Sequence, residues 1–465
     1  MRLGESDTLD NANAVLNRLG TDTMNDVLEH YLGNPLFRAA RYEELVIDDD
    51  PYRRPVRPDD LGMVDFATSL TRENATQLSG LMAHRILLNI FDTRKLLLPR
   101  DATGEKWQSF RLFYDPANVS LGELVRPYLE QHVFEFVRDA AAERVRGESS
   151  QVSARVREFA EHRDRQAAEL AAVVASGTDR ASLTGMLAVQ SVGVSISSRL
   201  RPAMQIPWLA DSPAAKALLA GPDNGRVSAV ARLAEIRDEP HSYYQYYLPS
   251  SLALMNYLNA TYQPGQVFAF AGALVAQHLE AEALAGSGIW GDPAAPGREL
   301  QPAGDGSLAV TDVVGDVERV GGEYGLREFS RGFEEYAQLL DVHDEDRMRQ
   351  ARWITNMPYY REKAERLQDA IERYEIDVDL DTFVESWEEC STTHVHDDDR
   401  LLVIESGEME FWNCFGVQHK YRPGDKAFIP QHSLHGSVVL SGECVYHQPI
   451  ITEELERRYG SPGPA

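Results

Sequence analysis

The chain has 465 residues, with 73 acids against 46 lysines and arginines and a formal net charge of −27. That length holds roughly two or three domains, and the 43% hydrophobic content lets each bury a core. So acidic a chain has no basic field with which to neutralise phosphates, which excludes a general nucleic-acid binder and a binder of anionic membranes.

The first residues, MRLGESDTLDNANAVLNRLG, carry acids and polar groups where a secretory signal needs an apolar run. A cytoplasmic protein is expected. Residues 1–380 read mostly as helix: "TMNDVLEHYLGNPLFRAARYEELV" and "LGELVRPYLEQHVFEFVRDAAAERV" place apolar residues at helical spacing. Proline and glycine break the pattern at 50–62, 201–224 and 286–306. The aromatic run "YYQYY" at 243–247 reads as helix packing, and "VFAFAGALVA" at 267–276 is too short to cross a bilayer. The stretch "GSGIWGDPAAPGRELQPAGDGS" at 286–307 reads as a loop.

After about residue 380 short apolar runs alternate with turn signals: "LLVIESGEMEFW", "YRPGDKAFIP", "GSVVLSGECVYHQPII". These predict a small antiparallel barrel or jelly roll. Cys390, Cys414 and Cys444 are odd in number and widely spaced, which predicts reduced, buried thiols rather than a disulfide frame or a zinc site.

Six of the thirteen histidines fall between 394 and 447. On a strand, residues i and i+2 point the same way, so His394 and His396 face one side together. "GDKAFIPQHSLHG" offers a third imidazole, His435, after a glycine-led strand and a proline turn. The two-part spacing resembles the cupin signature: His-x-His, then Arg400 and Gly407, and later Gly424, Pro430 and His435. Many cupins carry a glutamate at the place of Arg400, and a guanidinium cannot ligate a cation. The expected site is therefore three neutral imidazoles, His394, His396 and His435, with open positions on the ion. Such a site suits iron(II) and oxygen chemistry; copper, nickel, zinc and manganese also fit the ligand type. Arg400 either holds an anionic substrate group through its planar fork or is a solvated loop residue. Of Tyr446 and His447, neighbours on a late strand, one faces the interior. His432 is expected as a turn residue and His419 as exposed. Asp397–Asp399 reads as a solvated loop, the alternative being that one member assists the metal.

A wider resemblance joins these motifs. The order "DPYRRPVRPDDL", "FRLFYDPANVSLGELVRPYLEQHVFEF", "HSYYQYYLPSSLALMNYLNATY", "FAGALV", the histidine motifs and "ECVYHQPI" is similar to that of the N-nitrosourea-forming enzymes of streptozotocin biosynthesis, over nearly the whole chain. The resemblance implies a multidomain α + β protein. A helical N-terminal dimerisation region (1–138) would precede a haem-oxygenase-like helical domain (139–375), which in the family is a diiron oxygenase that N-hydroxylates a methylated arginine. A C-terminal iron cupin, a β-barrel of the jelly-roll type (376–465), would oxidatively rearrange the N-hydroxyguanidine to an N-nitroso product with a new N–N bond.

The family's diiron pattern is eroded here. Its closing His-x-x-x-Asp-x-x-His helix corresponds to "LAVTDVVGDVERV", where Asp312 matches the aspartate but Leu308 and Gly315 replace the histidines. His278 falls where a glutamate belongs. "SVGVSISSRLRP" holds no acid, and "ALLAGPDNGRVSAV" holds neither glutamate nor histidine. The central domain is expected to be metal-free, with His278 and Glu282 as an ordinary i,i+4 helix pair. The implied protein is an Fe(II)- and O2-dependent homodimeric oxidoreductase with one iron per chain. Its substrate would be an N-hydroxylated guanidine made by a separate N-hydroxylase, and Arg400 and Tyr446 are the candidate catalytic side chains. A cupin dioxygenase of another small substrate, and a non-catalytic dimeric scaffold, are the alternatives.

Overall fold

The computed structural model describes residues 65–92 (66 apart), 116–177, 180–197, 247–289 (264 apart), 310–387, 390–413 and 417–461. The reading of 23–46 as helix, the reduced, buried thiol expected at Cys414, and the diiron positions at 198–202, 217–230 and Leu308 lie outside them. The described helices are α1 (Leu78–Asp92), α2 (Pro116–Ala142), α3 (Ser149–Ser176), α4 (Arg180–Ser197), α5 (Pro249–Thr261), α6 (Val267–Gly286), α7 (Val310–Thr355) and α8 (Met357–Arg373). Helix α2 runs unbroken through position 138, where the sequence reading divides the chain.

Helix α6 is apolar on all sides, as a helix at the centre of a bundle must be. The short run expected at 267–276 is part of this 20-residue helix, which is long and apolar enough by composition to cross a membrane. It is instead mostly buried inside the protein. Its backbone touches that of α7. A Cβ on Gly272 would sit 2.0 Å from the Phe329 carbonyl oxygen, and one on Gly332 would sit 2.0 Å from that of Ala269. Only two glycines permit so close a crossing. Helix α7 breaks at Gly322, whose φ of 56° takes it out of helical geometry.

The helical core also buries charge. Arg163 of α3 is fully buried and donates to Glu280 of α6 (2.7 Å) and to both oxygens of Asp344 on α7 (2.6 and 2.7 Å). Arg347 reaches Glu280 (2.8 Å) and Asp344. Burial alone would raise the Glu280 carboxyl, but Arg163 and Arg347 hold it down to about 2. Glu334 is clamped by Arg155 (2.9 and 3.1 Å), and Glu335 accepts from Tyr257 (2.6 Å).

Eight strands follow: β1 (Thr382–Ser386), β2 (Cys390–His394), β3 (Arg400–Ser406), β4 (Met409–Asn413), β5 (Val417–Tyr421), β6 (Lys426–Ile429), β7 (His435–Val439) and β8 (Glu443–His447). They form two four-stranded antiparallel sheets, ordered β1-β8-β3-β6 and β2-β7-β4-β5. Gly407 makes the β3–β4 turn at φ 83°, where a Cβ would strike the Glu443 carbonyl oxygen at 2.2 Å. Inward side chains of both sheets share one core, including Leu402, Ile404, Phe411, Ile429, Val439 and Tyr446. The outer faces are covered too. Leu401 and Phe428 of the first sheet pack on Ala364 and Leu367 of α8. Val395, Trp412, Leu434 and Val438 of the second sheet and its loops join the core of the helices. The helix α8, on the helical side of the expected boundary at 375/376, thus packs on strands.

Candidate metal centre

His394 ends β2 and His435 opens β7, and the two are cross-strand partners. His396 lies beyond the strand end, so the expectation that one strand carries the whole His-x-His motif is corrected. The chain nevertheless keeps its alternation. Thr393 is buried and accepts from Trp412 Nε1 (3.4 Å), while Val395 turns into the helical core. His394 and His396 turn the other way, with their Nε2 atoms 3.3 Å apart. Two nitrogens each about 2.1 Å from one ion, at an angle between square and tetrahedral, lie about 3 Å apart. The three rings have centroid separations of 4.7, 4.5 and 4.9 Å.

One ligand atom from each of His394, His396 and His435 lies within 4.8 Å of the others, the single such group among the described residues able to hold a metal ion. His435 is set for ligation. Its Nδ1 faces the Ser433 carbonyl at 2.8 Å, an acceptor only, so Nδ1 carries the proton and Nε2 keeps its lone pair. That Nε2 is buried with no hydrogen-bond partner, which leaves its lone pair available to an ion. Burial first, and the nearby His394 second, push His435 well below the ordinary imidazole range. Burial, then His394, His435 and Arg400, push His396 down likewise. Both rings are neutral at neutral pH and available as donors. The Phe411 ring stacks on His435 at 5.5 Å and 23°.

The surrounding loops are tied rather than loose. His432 takes the left-handed conformation (φ 59°), as a turn residue does, and its N–H donates to the His396 carbonyl (2.7 Å). Asp397 Oδ1 accepts the N–H of Leu78 at the start of α1 (3.2 Å), and Asp399 Oδ1 accepts that of Gln431 (2.7 Å). The triplet lies in a loop with Asp397 and Asp398 exposed, as expected, and two of its members, Asp397 and Asp399, also hold backbone. His419, expected exposed, is half-buried on β5.

Arg400 is the first residue of β3 rather than a loop residue. It donates to Asp381 Oδ2 (2.8 Å) and the Gln448 carbonyl (3.0 Å). Of the late-strand pair, Tyr446 faces inward, stacked on Phe383 (5.1 Å, 14°) with its hydroxyl donating to Glu385 Oε1 (3.0 Å). His447 faces out toward Thr382 and Glu405. Cys444 is a free, buried thiol, which burial and the neighbouring Glu385 push up to about 11.

Among the described residues, the positions named for the diiron pattern do not converge. Asp312 is exposed in the first turn of α7, and Gly315 is open to solvent. His278 Nε2 and Glu282 Oε1 are 3.0 Å apart on α6, as an i,i+4 pair. Two residues near the centre escape any motif. Asn413, the cross-strand partner of His435 on β4, is fully buried. Gln350, buried on α7, donates to the His432 carbonyl (3.0 Å) and accepts the Leu434 N–H (3.3 Å). A buried amide on a helix carries no sequence signal of what it faces.

No protein-family model matches the chain. The chain is 26% identical over 451 residues to the nitrosourea synthase of Streptomyces achromogenes subsp. streptozoticus, an alignment that covers 91% of this chain and 94% of that protein. The resemblance to the nitrosourea-forming enzyme of streptozotocin biosynthesis thus extends along nearly the whole sequence.

Proposed function

We propose that this chain is a mononuclear non-haem iron oxygenase of natural-product biosynthesis. Its two sheets form a cupin jelly roll, and its substrate is an N-hydroxylated guanidine derived from arginine, rearranged with dioxygen as oxidant to a product with a new N–N bond. The observation that carries the reading is the convergence of three neutral imidazoles, one with an orphaned buried Nε2, in a chain that resembles a nitrosourea synthase over 91% of its length.

His394, His396 and His435 would hold the iron, which would supply the redox chemistry that activates dioxygen. The Ser433 carbonyl fixes the tautomer of His435. Phe411 walls the inner side of that ring. Tyr446 offers an inward phenol already oriented by Glu385. Arg400 places a positive charge near His396 while Asp381 and the Gln448 carbonyl hold its Nη1, so a substrate anion would be met by its Nη2 or Nε.

We further propose that the helices keep a haem-oxygenase-like fold without its two irons. Asp312 points to solvent, and the buried Glu280 and Glu334 and the half-buried Asp344 are already paired with arginines. A separate enzyme must then supply the N-hydroxyl group. A homodimer formed through the N-terminal helices rests on the resemblance alone.

The test is to load the purified protein anaerobically with iron(II), desalt it, and count iron. About one iron per chain is expected, lost in His394→Ala and His435→Ala, with oxygen uptake when N-hydroxyarginines are added. About three irons would overturn the metal-free helical domain. A protein that binds iron but consumes no oxygen with any N-hydroxyguanidine would overturn the substrate class.

A further inference from the structure

The turn that delivers His435 is held only in part by its own strands and loops. Residues 430–434 connect β6 to β7, and two of their backbone groups bond α7 of the helical part. Gln350 there is fully buried and spans the turn with both ends of its amide: Nε2 to the His432 carbonyl (3.0 Å) and Oε1 to the Leu434 N–H (3.3 Å). Between those two residues lies Ser433, whose carbonyl accepts His435 Nδ1–H. The same turn donates the His432 N–H to the His396 carbonyl. One side chain, more than eighty residues away in sequence, therefore braces the backbone that orients one imidazole and touches the backbone of another.

Gln350 is itself fixed. Asp346, one turn earlier on α7, is fully buried, hydrogen-bonds Gln350, and accepts from Ser250 Oγ of α5 (2.7 Å). Ser250 has spent its one proton on Asp346, so His343 Nδ1–H donates to it (2.9 Å). The chain of bonds runs from α5 through α7 to the turn and on to His435.

We propose that Gln350 is a positioning residue for the metal centre, through which the helical part sets the orientation of His435. The inference rests on the proposal that the three histidines bind a metal. Outer partners of this kind typically change metal affinity by about 10–100-fold when removed. The helical part, on this reading, acts as a brace for the metal-binding sheets.

The experiment uses cobalt(II) as the probe with the full-length protein. Affinity is measured by competition with a chelator, and ligand geometry by the visible d–d absorption. Gln350→Met keeps the volume and removes both hydrogen bonds. Glu335→Gln, which alters a buried bond of α7 to Tyr257, controls for general loosening of the helices. Gln350→Met is expected to weaken cobalt about 10–100-fold and to change the d–d spectrum, while Glu335→Gln leaves both near the parent values. Gln350→Glu at mildly acid pH, where the protonated side chain again donates and accepts, is expected to recover part of the spectrum. A Gln350→Met protein with the parent's affinity and spectrum would overturn the inference, as would an equal loss in Glu335→Gln. A parent protein that binds no cobalt would overturn the metal site itself, a separate outcome.

Discussion

His432 and His435 stand in one short turn, yet only the second turns its ring into the cluster. The difference is backbone geometry. His432 sits at φ 59° and spends its N–H on His396, so its side chain leaves the turn on another course. Asparagine tolerates the left-handed region well. His432→Asn is therefore expected to bind iron or cobalt within about threefold of the parent and to change stability by less than about 1 kcal/mol. Metal titration and a urea melt check this, and loss of the metal would make His432 a fourth ligand. At this scale the spacing of His394, His396 and His435 was legible in the sequence, because strand alternation and a turn are local. The partners of Arg400 were not legible, because Asp381 and the Gln448 carbonyl come from opposite ends of the β region.

The crossing of α6 and α7 is the tightest contact between elements, and it depends on the absence of a side chain. An added methyl at Gly272 meets backbone on three sides, the Phe329 oxygen and carbon and the Phe333 nitrogen, none of which can rotate away. Gly272→Ala is expected to cost about 1–3 kcal/mol or more, because the helices must separate. Gly286, the last residue of α6, has nothing within 4 Å of a built Cβ. Gly286→Ala is expected to be neutral or to stabilise by up to about 1 kcal/mol through helix propensity. Urea midpoints of the two variants give the comparison, and equal effects would mean that the crossing is looser than described. The composition of α6 suits a buried helix, but only packing shows which glycine is in contact.

Across the whole molecule, buried acids of the described helices are paired with arginines. Glu280 lies between two arginines, and replacing it leaves two buried cations short of a partner. Glu280→Gln is expected to cost about 3–5 kcal/mol at pH 7. The acid side follows by linkage. The folded carboxyl lies at about 2 against its ordinary 4.5, so its contribution is complete above 4.5 and is lost as the pH falls from there through about 2. The parent protein should therefore lose stability over that window, and Glu280→Gln should show a shallower slope. Denaturant unfolding at pH 7, 4.5 and 3 tests it, and parallel curves for the two proteins would contradict the assignment.

The sequence by itself determined the helical character of the described segments between Leu78 and Arg373, the strands of the last part and the identity of three convergent imidazoles. Each of these is written in a local period, 3.6 or 2 residues, or in turn residues that need no distant partner. The tertiary structure decided what local pattern cannot carry. It put Tyr446 inward and His447 outward, paired Arg400 with Asp381, placed arginines on the buried acids of the helices, and set Gln350 of α7 against the turn that holds His435. These depend on which faces of distant segments meet, and periodicity within one segment does not encode the face of another.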